Sequence, residues 1–162
     1  MNPIRLSKIL LLFMVGFYMF LVVLNNITDY DSNFAFVSNV MGMTETFSAS
    51  PPSYRVIRAP MAHHIFYIGI ILTELSIMFL CMRGVWGLWK ARKETNKVFA
   101  QAKTYGIYGL CLGLLLWFTG FIAVGGEWFL MWQSETWNGN PTAFRNSILF
   151  IVVLIHLTNN ND

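Results

Sequence analysis

The sequence predicts an all-α membrane protein, a four-transmembrane-helix bundle with its N-terminus and C-terminus cytoplasmic. Three observations predict it. Hydrophobic residues fill 56% of the 162 positions and charged residues only 12%, where soluble domains carry about a quarter. Four apolar stretches, at approximately 7–26, 63–87, 103–125 and 142–158, are long enough to cross the ~30 Å hydrocarbon core. Lysine and arginine gather on one side of those stretches. One membrane domain, 1–162, accounts for the chain. The net charge of +3 and pI near 9.0 come from basic residues at helix ends, not from a basic face, so nucleic acid is not an expected partner.

The first span follows Arg5 and Lys8. Its charge-free run Ile9–Leu24 is longer than the apolar region of a signal peptide and lacks a small-residue cleavage site, which reads as an uncleaved anchor. An outer segment, 27–62, holds Pro51, Pro52 and Pro60, which favour extended chain, and a stretch Ser32–Met41 with the pattern of a short interfacial helix. The second span starts behind Pro60 and carries one charge, Glu74. Trp86 and Trp89, beside Arg83 and Lys90, mark its cytoplasmic interface. The basic cytoplasmic loop 88–102 contains strong helix formers and is expected to continue helix.

In the third span Gly106, Gly109, Gly113 and Gly120 recur at three-, four- and seven-residue steps, which puts them on one face of an α-helix. Such a face lets another helix approach closely, either in a second copy or in the same chain. The outer segment 126–141 is rich in tryptophan, with Trp128, Trp132 and Trp137, and closes on the turn Asn138-Gly139-Asn140-Pro141. The fourth span has the shortest clean run, Ile148–Leu157, and borrows from Thr142 onward; a polar tail, Asn159–Asp162, follows. Eight basic residues (Arg5, Lys8, Arg83, Lys90, Arg92, Lys93, Lys97, Lys103) fall on the N-terminal side against three (Arg55, Arg58, Arg145) on the other, which places the N-terminus inside. Cys81 and Cys111 sit in apolar runs without metal-ligand spacing and read as packing residues.

The segment GGEWFLMWQSETWNG followed by Ala143-Phe144-Arg145, together with Asn25-Asn26-Ile27-Thr28-Asp29-Tyr30 and the pair His63-His64, resembles a bacterial family of predicted small integral membrane proteins, a domain of unknown function. The resemblance spans nearly the whole chain and is most specific in the tryptophan-rich segment. It implies a multi-pass protein of the Gram-negative inner membrane, and it supplies no catalytic residues. The short last span and the tail Asn159-Asn160-Asn161-Asp162 depart from the family's pattern.

Glu74 is the foremost candidate for chemistry. Counted from His64 at ~1.5 Å per residue, it lies roughly 15 Å deep, near mid-membrane. An ionisable residue there is costly and marks a relay, a cation site, a docking contact or a hydrogen-bonded neutral carboxyl. Tyr18 and Thr119 fall at similar depth and are its candidate partners. On the outer face His63, His64, Asp29, Glu127 and Arg145 are candidates. Adjacent histidines point about 100° apart and do not chelate together; either one, with Glu127, could ligate haem or a metal, either one suits a haem- or quinone-binding role, and hydrogen bonding at the interface is the plainer reading. The outer acids Asp29, Asp31, Glu45, Glu127 and Glu135 lack an EF-hand spacing and are expected to pair with Arg55, Arg58 and Arg145. No metal site and no catalytic residue is predicted, and bound lipid is the only expected ligand. No nucleophile elbow, P-loop or Rossmann turn occurs. The leading expectation is a non-catalytic accessory subunit of an inner-membrane complex, respiratory or transport, with the bilayer and other subunits as partners. The alternatives are a small proton- or cation-conducting protein using Glu74, and a redox subunit using His63 or His64.

Overall fold

The computed structural model describes residues 2–48 and 51–160. Asn161 and Asp162 of the polar tail lie outside the described residues. Among the described residues there are six α-helices and no strand: α1 Pro3–Thr28, α2 Tyr30–Gly42, α3 Pro60–Ala91, α4 Asn96–Ala102, α5 Thr104–Leu114 and α6 Asn140–Thr158. A π-helical segment, Leu115–Trp128, continues α5. Four helical stretches are long and apolar enough to cross a membrane: Pro3–Thr28, Pro60–Ala91, Asn96–Trp128 and Asn140–Thr158.

Local chemistry sets the helix ends. Asn2 accepts from the Ile4 amide at 2.9 Å, and Pro3 occupies the first turn, where its missing N–H costs nothing. At Asp29 the backbone leaves the helical region (φ −117°, ψ 54°), and its amide still bonds the Asn25 carbonyl at 2.9 Å. One residue later α2 begins. Helix therefore occupies Tyr30–Gly42 of the outer segment. It ends at Met43, whose φ of 49° is left-handed. Pro60 opens α3, and Thr95 caps α4. Pro141 sits in the first turn of α6, and Asn138 Oδ1 accepts from the Asn140 amide at 3.1 Å.

α6 is only 19 residues long and the least apolar of the spans. It still makes an apolar outer surface, because Asn146 and Ser147 turn inward and are buried while Phe144, Ile148, Leu149, Val152 and Ile155 face out.

The main core joins α1, α3, α5 and α6 around Leu12, Met19, Ile77, Cys81, Leu110 and Phe150. At its tightest point α3 and α5 meet backbone to backbone. A Cβ on Gly84 would lie 2.6 Å from the Gly106 nitrogen, and one on Gly109 would lie 2.8 Å from Cys81 Sγ. Gly113 takes the ring of Phe150 from α6. Three of the four predicted glycines thus pack within the chain. Gly120 does not: it is exposed, and its own helix is its nearest neighbour. The wider π turn after Leu115 rotates the later residues away from the α-helical face counted from the sequence.

One end of the bundle is basic. Arg5 donates to the carbonyls of Arg92 and Glu94 at 3.2 and 2.7 Å and to Asn96 Oδ1 at 2.7 Å, with its guanidinium over Phe99. Lys8 and Lys103 both donate to the Asn159 carbonyl. Cations here satisfy carbonyls that helix ends leave open. The contacts between Lys8 and Asn159 bring both ends of the bundle's chain to one side. At that end Lys90 lies over Trp86 and Arg92 over Trp89, as expected of an interfacial belt. At the other end α2 folds across the bundle and buries Val37, Val40 and Met41 in a second cluster with Tyr67, Phe129 and Met131.

Candidate functional site

The site begins with one carboxyl. Glu74 on α3 is 1% exposed. Its Oε2 accepts from Asn26 Nδ2 at 2.6 Å, and Tyr67 donates its hydroxyl to the Asn26 carbonyl at 2.9 Å. Asn26 belongs to the last turn of α1. The carboxyl therefore lies level with the end of α1 that adjoins α2.

Glu74 borders a cavity of about 420 Å³. The walls come from α1 (Tyr18, Asn25, Asn26), α2 (Asn33, Phe36) and α3 (Tyr67). The π segment adds Trp117 and Phe121, and α6 adds Thr142. Among the described residues no protein donor reaches Glu74 Oε1. Among the described residues two buried donors also lack acceptors: the indole N–H of Trp117 and the Asn146 amide. Asn146 Oδ1 accepts from Tyr18 at 3.1 Å. Buried polar groups left without partners are uncommon and point to water or a ligand. A second, apolar cavity of about 220 Å³ lies beneath α2. Phe36, Val37, Ile70 and Phe121 line both, and the rings of Phe36 and Phe121 stack at 6.3 Å.

The expected partners of Glu74 divide. Tyr18 borders the same cavity but gives its hydroxyl to Asn146. Thr119 is exposed on the opposite side, in a groove with Cys111, Phe118 and Ser147. That misplacement has the same cause as that of Gly120, the π turns.

The outer-face candidates do not converge. His63 Nε2 bonds the Ile57 carbonyl at 2.8 Å. His64 Nδ1 meets the Tyr30 hydroxyl at 2.8 Å, and its ring stacks on Phe34 at 4.0 Å. Glu127 is exposed in a separate groove with Arg55 and Phe66. Asp29 is exposed at the bend between α1 and α2, and Arg145 is exposed on α6. Among the described residues no three histidine, cysteine or acidic side chains gather as metal ligands. The expected pairing of outer acids with arginines is replaced at two positions. Arg55 lies over Trp128 at 5.0 Å and donates to its carbonyl at 3.4 Å. Glu45 accepts from the Ser134 hydroxyl at 2.6 Å and the Thr136 amide at 3.2 Å, which holds its carboxyl below the usual range. Trp132 meets Phe47 edge-on at 5.4 Å, and Trp137 packs against the cluster beneath α2.

Four apolar helices, a basic tryptophan-marked end and a buried carboxyl in their interior define a multi-pass helical integral membrane protein. The chain belongs to the family described as predicted small integral membrane protein (DUF2165), whose model matches residues 4–160. No curated protein and no solved structure matches it.

Sequence reasoning found Glu74 and Tyr18 but missed Asn26, Tyr67, Trp117 and Asn146. Asn26 stands at the polar end of the first span, and Asn146 just before the clean apolar run of the fourth. The available signal was that polar residues inside an otherwise apolar span face the bundle interior.

Proposed function

We propose that the protein takes up a proton or a cation at Glu74, as a small conducting or coupling protein of the bacterial inner membrane. One observation carries this reading: Glu74 is buried, held at Oε2 by Asn26 alone, and borders a cavity with Oε1 free. A carboxyl fixed on one oxygen and open on the other binds an incoming cation or proton without rebuilding its surroundings. The Gly84–Gly106 crossing closes the bundle beyond the cavity, so passage to the basic end requires that crossing to part. The basic end faces the cytoplasm in this reading, by the excess of lysine and arginine there. Reporter fusions after Lys97 and after Gln133 check that orientation, with a cytoplasmic signal expected only at Lys97. The functional test is dye-reported proton and cation flux in reconstituted vesicles under an imposed potential. Wild type should exceed empty vesicles, and Glu74→Gln should lose the difference while keeping its fold. Equal flux in both would sink the reading.

A second reading, a non-catalytic accessory subunit of an inner-membrane complex, rests on the groove of about 490 Å³ between α5, the π segment and α6. Thr119 gives that outward groove an exposed hydroxyl that a neighbouring helix can bond. A photocrosslinker at Thr119 that captures only lipid in native membranes would remove its support.

A further inference from the structure

We propose that the two cavities form one binding site for an amphipathic ammonium compound, its head at Glu74 and its tail in the apolar chamber beneath α2. The inference rests on the reading of Glu74 as a cation-binding carboxyl and names the cation. Three features of the site converge on it. The first is charge. Among the described residues no lysine or arginine lines either cavity, so the one acid at the site has no countercharge in the chain. An incoming ammonium supplies that countercharge where solvent cannot.

The second feature is the character of the walls. Tyr18, Phe36, Tyr67, Trp117 and Phe121 surround the carboxyl side with aromatic rings. Ring faces attract organic cations, most strongly where water is excluded. The third feature is adjacency across a common wall. Phe36, Val37, Ile70 and Phe121 border both cavities. Beyond them the smaller chamber is walled by Val40, Met41, Leu116, Val124 and Met131, all apolar. A head that prefers Glu74 and a chain that prefers Met131 belong to one amphiphile.

An ammonium with an alkyl tail has two sources, an aminophospholipid of the bilayer or a free amphipathic amine, and the test separates them. The full-length protein is purified in a neutral maltoside detergent. Dodecylammonium, dodecanol and a dodecyl hydroquinone are titrated against its melting temperature and by calorimetry at neutral pH. Dodecylammonium should raise the melting temperature and bind at least about tenfold tighter than either neutral probe. Glu74→Gln, which still accepts from Asn26, should lose that preference. Val124→Phe, which fills the tail chamber away from Glu74, should weaken dodecylammonium and leave butylammonium unchanged. It decides the matter if Glu74→Gln fails to fold. Displacement of the amine by phosphatidylethanolamine supports the site and assigns it to the lipid. Retention of the amine supports it and assigns a free amine. Equal binding of dodecanol or the hydroquinone, or dodecylammonium binding to Val124→Phe as to wild type, overturns the proposal. Vesicle flux that depends on Glu74 without any amine binding overturns this inference alone, whereas absence of both overturns the parent reading as well.

Discussion

The two ends of this bundle are built from the same helices and differ in how closely those helices approach. Toward the basic end α3 and α5 touch through Gly84 and Gly106, with Leu12 of α1 against both. No space is left there for a side chain. Toward the α2 end large rings and amides replace glycine: Tyr18, Asn26, Tyr67, Trp117 and Phe121 hold the helices apart and leave two cavities. The π segment begins near the level where the helices separate, and it turns Trp117 toward the polar cavity and Thr119 toward lipid. The tight end anchors the fold, while the open end holds the buried carboxyl and the cavities. Interfaces of small residues are the usual way membrane helices bind without a hydrophobic driving force. A cavity with an unpaired carboxyl is tolerated only beside such an anchor.

The largest effect is expected at the anchor. Gly84→Leu forces a side chain into the Gly106 backbone and should cost about 3 kcal/mol or prevent assembly, since backbone cannot yield as a flexible side chain can. Gly113→Leu should be milder, because the Phe150 ring can turn aside. Gly120→Leu meets open space and should change stability by less than about 0.5 kcal/mol. Thermal unfolding in detergent ranks the three. Similar melting of Gly84→Leu and Gly120→Leu would mean that the two ends do not differ as described.

At the open end effects should be smaller and should depend on chemistry rather than volume. Glu74→Leu strips the Asn26 amide of its acceptor and should cost about 1–2 kcal/mol. Glu74→Gln restores an acceptor oxygen and should recover most of that loss. If leucine and glutamine melt alike, the Asn26 bond is not what seats α1 on α3 there. Tyr18→Phe removes only the bond to Asn146 and should cost about 0.6 kcal/mol.

Legibility in the sequence follows the same division. The four spans were readable because hydropathy is summed over some twenty residues and survives local error. The packing of Gly106, Gly109 and Gly113 was readable because α5 keeps the 3.6-residue period over that stretch. Gly120 and Thr119 were misplaced because the π turns break that period, and no residue type announces them. Gly84, the other half of the tightest contact, has only Gly87 close to it in its span, and one such pair does not mark a packing face. Glu74 was visible as the one charge between Arg58 and Arg83. Its partner Asn26 was not, because the pairing depends on how α1 and α3 align along their lengths, and no local pattern in either span announces that.

The smallest expected effect lies outside the membrane spans, where Glu45 ties the chain after α2 to the tryptophan-rich segment. Its carboxyl is held below its ordinary value of 4.5, first by the Ser134 hydroxyl and then by the Thr136 amide. A carboxyl whose folded value is lowered stabilises the fold above its ordinary value, and the contribution disappears as pH falls through the lowered one. The tie is therefore at full strength at neutral pH and fails only in acid. Phe47 donates its amide to Gln133 Oε1 at 3.0 Å beside it and should loosen in step. Hydrogen exchange across residues 131–137 is the measurement that follows this contact. Protection should be constant from neutral pH down to about 4.5 and fall below it, beyond the intrinsic pH dependence of exchange. The exposed acids Glu127 and Glu135 belong to the same segment, so Glu45→Gln supplies the control. It should show weaker protection at neutral pH and no further loss in acid. If Glu45→Gln keeps the wild-type acid dependence, the neighbouring acids hold the cap and Glu45 does not.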